Sequence, residues 1–291
     1  MKSVILIVLI VFATAVSAQE IPKKLWKKTA EASLNFSQAS FSNNWQGGGT
    51  NNIALLATAN LTASYKKNKT SWDSKANMQY GLLKNKGEFI RKSNDVLFLD
   101  SKYGYQLSGK WNAFAAVNFM SQFDNGYTFS KDTNDATIRT KTSAFMSPGY
   151  FTESIGIEYK PKPYFYARLG LGATKQTFVL DQGVYNAIDT VKYGVPVGKK
   201  VMNEFGFQLL ANYDKNIYKE IVNLKVRYLG FFNYDQLIKP DNWSHRVDII
   251  ATAKISKYIN VTFNAVLLYD RFQDKNWQTS QIFGLGVSYK M

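Results

Sequence analysis

The chain has 291 residues, a formal charge of +15, 45% hydrophobic and 15% aromatic residues, and no cysteine. That composition excludes collagen-like, disordered and disulfide-stapled proteins. Apart from a shorter stretch at the extreme N-terminus, no apolar run reaches the roughly 20 residues of a membrane helix, so a helical membrane protein is excluded and a soluble globule or a β-barrel remains.

Lys2, the apolar run Val4 to Phe12 and the small residues Val16, Ser17 and Ala18 read as a secretory signal peptide over residues 1–18. No cysteine stands at the cleavage site, which excludes a lipoprotein anchor. Residues 19–29 then form a periplasmic N-terminal segment, and 30–291 a barrel domain.

From residue 30 the hydrophobic period is two almost everywhere, the pattern of strands with one apolar and one polar face. Between Ile259 and Asp270 one face carries Val261, Phe263, Ala265, Leu267 and Tyr269, and the other Asn260, Thr262, Asn264 and Asp270. Twelve such segments are predicted, near 30–41, 51–65, 70–83, 95–107, 111–123, 150–160, 163–178, 200–213, 217–232, 243–256, 259–271 and 278–290. Every second connection is short, around Lys67-Asn68, Ser108-Gly109, Pro161-Lys162, Lys215-Asn216 and Ser256-Lys257. The alternate ones are longer, above all 124–149 and 179–199. A meander with this alternation predicts an all-β, antiparallel up-and-down transmembrane β-barrel of about twelve strands, with short periplasmic turns and longer external loops. The location that follows is the outer membrane.

The polar face carries charges of both signs: Asp73, Lys75, Asp100, Lys102, Glu158, Arg168, Glu204, Lys225, Arg227, Arg246, Asp248 and Asp270. It also carries Gly81, Gly104, Gly156, Gly170, Gly172, Gly206, Gly284 and Gly286. Glycines serve little purpose on a solvated face but allow curvature on a concave wall, so the polar face is assigned to the lumen and the charges to a paired network. Trp72, Trp111, Trp243 and Trp277, with Tyr65, Tyr105, Tyr159, Tyr213, Tyr218 and Tyr289, stand at strand ends, as interfacial girdles require. Gly286, Tyr289 and Met291 resemble the C-terminal targeting signal of outer-membrane barrels, with Met291 in place of the usual aromatic residue. Such a signal implies handling by the barrel-assembly machinery.

Charge is uneven. The short-turn side holds Lys66, Lys67, Lys69, Lys110, Lys160, Lys162, Lys215, Lys219, Lys257 and Lys290, preceded by Lys23, Lys24, Lys27 and Lys28, against Glu20, Asp214 and Glu220. This collar fits a snorkelling anchor on outer-membrane lipids, or a docking surface for an acidic periplasmic partner. No compact basic motif with interleaved aromatics points to nucleic acid.

Chemistry has little to work with. The one histidine, His245, falls on the outward face with Trp243 and Val247, while Ser244 points the other way, so a Ser-His pair is not formed. Paired carboxylates could come from Asp73, Asp100, Asp248 and Asp270, but each has a basic neighbour. No catalytic, cofactor or metal residue is assigned. The segment Asn43-Asn44-Trp45-Gln46-Gly47-Gly48-Gly49 is the most unusual, with Trp45 and Gln46 as candidate external contacts or a tryptophan plug.

That segment within the stretch from Trp26 to Gly49, with Tyr80-Gly81-Leu82, Lys102-Tyr103-Gly104-Tyr105 and Gln122-Phe123-Asp124-Asn125-Gly126-Tyr127, resembles the Bacteroidota outer-membrane family catalogued as domain of unknown function 3078. The resemblance implies an outer-membrane barrel of a Gram-negative bacterium and no catalytic residues. The leading expectation is a non-enzymatic structural or assembly-accessory barrel with a side-chain-filled lumen. The alternatives are a small-solute pore or transporter and an outer-membrane hydrolase.

Overall fold

The computed structural model describes residues 25–42, 46, 50–133, 137–237 and 243–290. The leader at 1–18, Trp45 and Met291 lie outside the described residues. The strands run β1 (Trp26–Ala39), β2 (Asn52–Lys67), β3 (Thr70–Asn85), β4 (Arg91–Ser108), β5 (Trp111–Ser121), β6 (Gly126–Lys131), β7 (Thr137–Ser143), β8 (Gly149–Lys162), β9 (Phe165–Phe178), β10 (Val191–Lys192), β11 (Val195–Pro196), β12 (Val201–Tyr218), β13 (Val222–Asn233), β14 (Ser244–Lys254), β15 (Ile259–Asp270) and β16 (Asp274–Lys290).

All but β6, β7, β10 and β11 form one closed antiparallel barrel of twelve strands, each paired to its neighbours along the chain. The ring closes between β1 and β16 over six pairs, from Glu31 opposite Lys290 to Phe36 opposite Leu285. Each predicted segment corresponds to one barrel strand. The remaining four strands are two small hairpins inside the two longest connections.

Polarity is inverted relative to a soluble β protein. Ile155, Leu171, Phe205, Phe283, Leu285 and Val287 stand more than half exposed on the outside, while Asp100, Lys102, Glu158 and Arg168 are at most 3% exposed inside. A closed cylinder satisfies every interior strand's backbone donors, and an apolar exterior suits hydrocarbon, so the chain is a transmembrane β-barrel. Among the described residues no helix is long and apolar enough to cross a membrane.

Several boundaries differ from the sequence reading. Residues 26–29 belong to β1 rather than to a leading segment, because they pair with Tyr65 to Thr62 and Trp26 packs its ring on Tyr65 at 5.2 Å. The turn expected at Pro161-Lys162 lies at 163–164, since Lys162 still pairs with Phe165. That expected at Lys215-Asn216 lies at 219–221, where Lys219 and Glu220 take positive φ and the paired strands extend to Tyr218 and Val222. The last external connection is not long: residues 271–273 join β15 to β16, with Asp270 opposite Asp274. Asp270 makes so tight a turn possible by accepting from the Phe272 amide at 3.0 Å.

One irregularity reverses a face. Around Leu171 and Gly172, β9 carries an extra residue opposite both neighbours, where the register slips between Ile155 and Gly156 on β8 and between Gly206 and Gln208 on β12. An extra residue shifts side-chain parity by one. Gly172 therefore faces outward beside Ile155, not into the lumen, and Lys175 turns inward.

Replacing Ile155, 63% exposed near the middle of β8, by arginine is expected to destabilise the barrel in lipid vesicles by about 2–4 kcal/mol, read as a shift in the urea unfolding midpoint.

Candidate functional site

The lumen is the site the fold builds, and parity brings all twelve predicted charges to its wall. Toward the short turns, Lys102 on β4 donates to both Glu158 carboxylate oxygens at 2.7 and 2.8 Å and lies 3.2 Å from Asp73 on β3. Arg168 on β9 donates through Nε to Glu158 at 3.0 Å and through Nη1 to Asp100 at 2.9 Å. Asn118 donates to Asp100 as well, and Asn112 to Glu158 at 3.3 Å. Two cations and three carboxylates from four strands thus form one continuous chain, in which every buried charge has an opposite partner.

Halfway up, Asp248 on β14 accepts from Arg227 Nη2 at 2.8 Å and Arg246 Nη2 at 2.7 Å. Nearer the long loops, Lys175 lies 3.2 Å from Glu204. Among the described residues Lys75 makes no ion pair but donates to the Tyr166 hydroxyl at 3.2 Å. Lys225 pairs with Glu31 at 3.3 Å. Glu31 and Lys175 join the lumen charges although the sequence reading omits them: the first stands near the start of β1, the second beyond the parity change in β9.

Several of these contacts cross the lumen. Arg227 on β13 places its guanidinium 3.8 Å from the ring centroid of Phe98 on β4, five strands away around the ring. Gln273, between β15 and β16, donates to the Tyr150 hydroxyl on β8 at 2.7 Å. Lys75 to Tyr166 and Lys225 to Glu31 each span four strands. Inward Phe98, Phe114, Phe231 and Leu210 are all buried. Beside these bridges are a partly open cavity of about 30 Å³, lined by Ser33, Thr58, Asn60, Asn77, Thr262 and Asn264 among others, and one of about 60 Å³ around Tyr150, Lys175, Arg246 and Asp270. Volumes of this size hold roughly two and roughly four to five waters.

The long connections cover the mouth. Ala144, Val179, Val184 and Val195 form a small core of their own, against which Tyr185, Tyr193 and Met202 pack. The Tyr193 hydroxyl donates to the Thr142 carbonyl at 2.6 Å, and Lys141 pairs with Asp181. Gly194, at φ +81°, lies so close to Met202 and to the Phe272 ring that a Cβ would come within 2.6 Å of Met202 and 3.1 Å of Phe272. The 179–200 segment, rooted on β9 and β12, therefore reaches the β15–β16 connection across the barrel mouth. Gln46, proposed as an external contact, is exposed.

His245 sits on the outer face in an aromatic cluster with Trp243, Phe232, Tyr269 and Trp277, and its Nδ1 lies 2.7 Å from the Tyr228 hydroxyl. Ser244 lines the inner cavity, which His245 also borders. At the other rim Trp111 packs on Tyr159 at 4.7 Å, Trp72 on Tyr103 and Tyr164 on Tyr213. The two sets form girdles about the apolar band. In the C-terminal strand, Gly286 leaves the space that the Asn35 side chain fills, and Tyr289 is 57% exposed on the outside.

Residues 36–127 match the model of a family described as a protein of unknown function, DUF3078. No curated protein sequence matches the chain. Among solved structures, the chain is similar to the translocator domain of the autotransporter NalP from Neisseria meningitidis, at 9% identity and TM-score 0.35 over 95% of this chain and 91% of that one. It is similar to the NanC porin at 8% identity and TM-score 0.39, over 90% of this chain and all of that one. The Pseudomonas putida toluene transporter TodX matches at 9% identity and TM-score 0.35, over 93% and 90%.

Two outcomes follow. Glu158→Ala strips Lys102 and Arg168 of their shared carboxylate and is expected to cost about 3–5 kcal/mol of barrel stability, measured by denaturant unfolding in detergent. In the cap, hydrogen bonding from Lys141 holds the Asp181 carboxyl below its ordinary value of 3.8, so this contact stabilises the folded cap above that value and is lost as pH falls through the depressed one. Hydrogen exchange in 179–200 is expected to quicken below about pH 3.8, after correction for the intrinsic rate, and Asp181→Asn to show the fast exchange already at neutral pH.

Proposed function

We propose that this chain is an integral outer-membrane protein of a Gram-negative bacterium of the Bacteroidota, exported through a cleaved leader, whose barrel is sealed and serves as a non-enzymatic structural or assembly-accessory scaffold. The observation that carries this reading is the crossing of the lumen by Arg227 on Phe98 and Gln273 on Tyr150, beneath a mouth covered by 179–200. A solute pore needs a continuous wet path, and these bridges cross the lumen where such a path would run. The short turns face the periplasm and the folded cap faces outward, the arrangement of outer-membrane barrels.

A second reading, a pore for small solutes closed in this state, is favoured by the largely amide and hydroxyl wall of the smaller cavity, in which the charges Glu31 and Lys225 pair with each other. Planar-bilayer recording separates the two. The sealed scaffold gives no stable current steps in the native chain, and Arg227→Ala with Phe98→Ala produces them by removing the bridge. Stable steps in the native chain overturn the sealed reading in favour of the pore.

A further inference from the structure

We propose that the short-turn rim is a binding surface for anionic glycerophospholipid headgroups, which selects the leaflet that this end of the barrel faces. The inference rests on the membrane-barrel reading above and adds a partner to it.

The collar lysines occupy the whole circumference. One exposed representative at each rim position is Lys28 on β1, Lys67 and Lys110 at the next two turns, then Lys162, Lys219 and Lys257. Among the described residues none of these six makes an ion pair, and the acids near these turns are Asp214 on β12, which already accepts from Asn223 at 3.1 Å, and Glu220. The opposite rim differs. There Lys92 pairs with Asp95 at 2.7 Å, Arg91 with Glu88 at 3.0 Å and Lys192 with Asp189 at 3.6 Å, while Arg139 stacks 3.5 Å from the Tyr127 centroid. At that rim several cations are thus paired with nearby carboxylates, although Lys84, Lys86, Lys199, Lys200 and Lys275 are exposed there too, whereas the six collar lysines face outward with no such pairing.

Depth and shape choose the partner. Lys215 lies over Tyr164 at 4.6 Å, Lys257 over Tyr258 at 5.0 Å and Lys219 over Tyr218 at 5.6 Å. Tyr164 itself packs on Tyr213 within the girdle, which sets these ammonium groups at the level of the aromatic belt, where phosphate groups lie. Long stems let lysine keep its charge at that level while its methylenes cover apolar surface. A protein partner docks on one side and needs a platform, but these connections are short and the charge is annular. The lipid shell around a barrel is annular too, and anionic headgroups attract each nearby lysine.

Tryptophan quenching by brominated lipids tests this. In vesicles mixing phosphatidylglycerol and phosphatidylcholine, with one or the other brominated, a variant keeping Trp72 and Trp111 reports the collar and one keeping Trp243 and Trp277 reports the cap rim. The collar is expected to prefer phosphatidylglycerol by about threefold, the cap rim to show no preference, and the collar's preference to vanish at high salt and on combining Lys67→Gln, Lys110→Gln, Lys162→Gln and Lys219→Gln. Equal quenching by both headgroups at the collar, or a preference that survives the four substitutions, overturns the assignment and leaves the collar to an acidic protein partner. Absence of quenching by either lipid overturns the membrane reading itself. Should a tryptophan variant fail to fold, thermal unfolding of the native chain and the four-lysine variant in nanodiscs of each lipid decides the point: a higher midpoint in phosphatidylglycerol for the native chain alone supports the proposal, and equal midpoints overturn it.

Discussion

Backbone pairing in a medium without water is the constraint on which the rest of this structure depends. Hydrocarbon offers no partner to a bare amide or carbonyl, so strands can cross it only in a ring without edges. The twelve strands meet that condition as a simple meander, and the six pairs between β1 and β16 complete it. Once the ring is closed, side-chain alternation puts half of every strand against lipid and half into an enclosed space. Leu285 and Val287 then face outward while Gly284 and Gly286 face inward on the same strand.

Enclosure imposes the second condition. Charges held in a confined lumen must be paired or hydrated, and here pairing dominates. Glu158 gathers Lys102 and Arg168, Arg168 reaches Asp100, and Asp248 gathers two arginines. A pore wall would leave such groups to water and to passing ions. In this barrel they bind one another, and the aromatic rings of Phe98 and Tyr166 take up cations arriving from distant strands. The segment over the mouth folds on its own apolar core of Val179, Val184 and Val195.

The two rims answer different surroundings with the same residue types. At the cap end, His245 and Tyr228 add a hydrogen bond to an aromatic cluster, and some cations, Lys92 and Lys192 among them, pair with nearby carboxylates. At the short-turn end, tyrosines carry Lys215 and Lys257, which make no ion pair among the described residues. The difference follows from connection length: a two-residue turn has no space for a compensating network, whereas the connections around residues 122–148 and 179–200 fold on themselves.

The amino-acid sequence by itself determined the strand number, most of the face assignments and the positive charge of the short-turn rim, because alternation along a strand is a local property that survives in any closed sheet and charge is read directly from composition. Asp73, Lys102, Glu158 and Arg168 were legible as lumen residues for that reason. Gly172 and Lys175 were not, because a single extra residue in β9 reverses parity, and a glycine in a strand is compatible with plain curvature as well as with a bulge. The brevity of the 271–273 connection escaped for a similar reason, since strand pairing continues through residues that look like loop. Only the tertiary structure decided that Arg227 meets Phe98 and Gln273 meets Tyr150, contacts between residues more than a hundred positions apart, brought together by ring curvature rather than by any spacing along the chain.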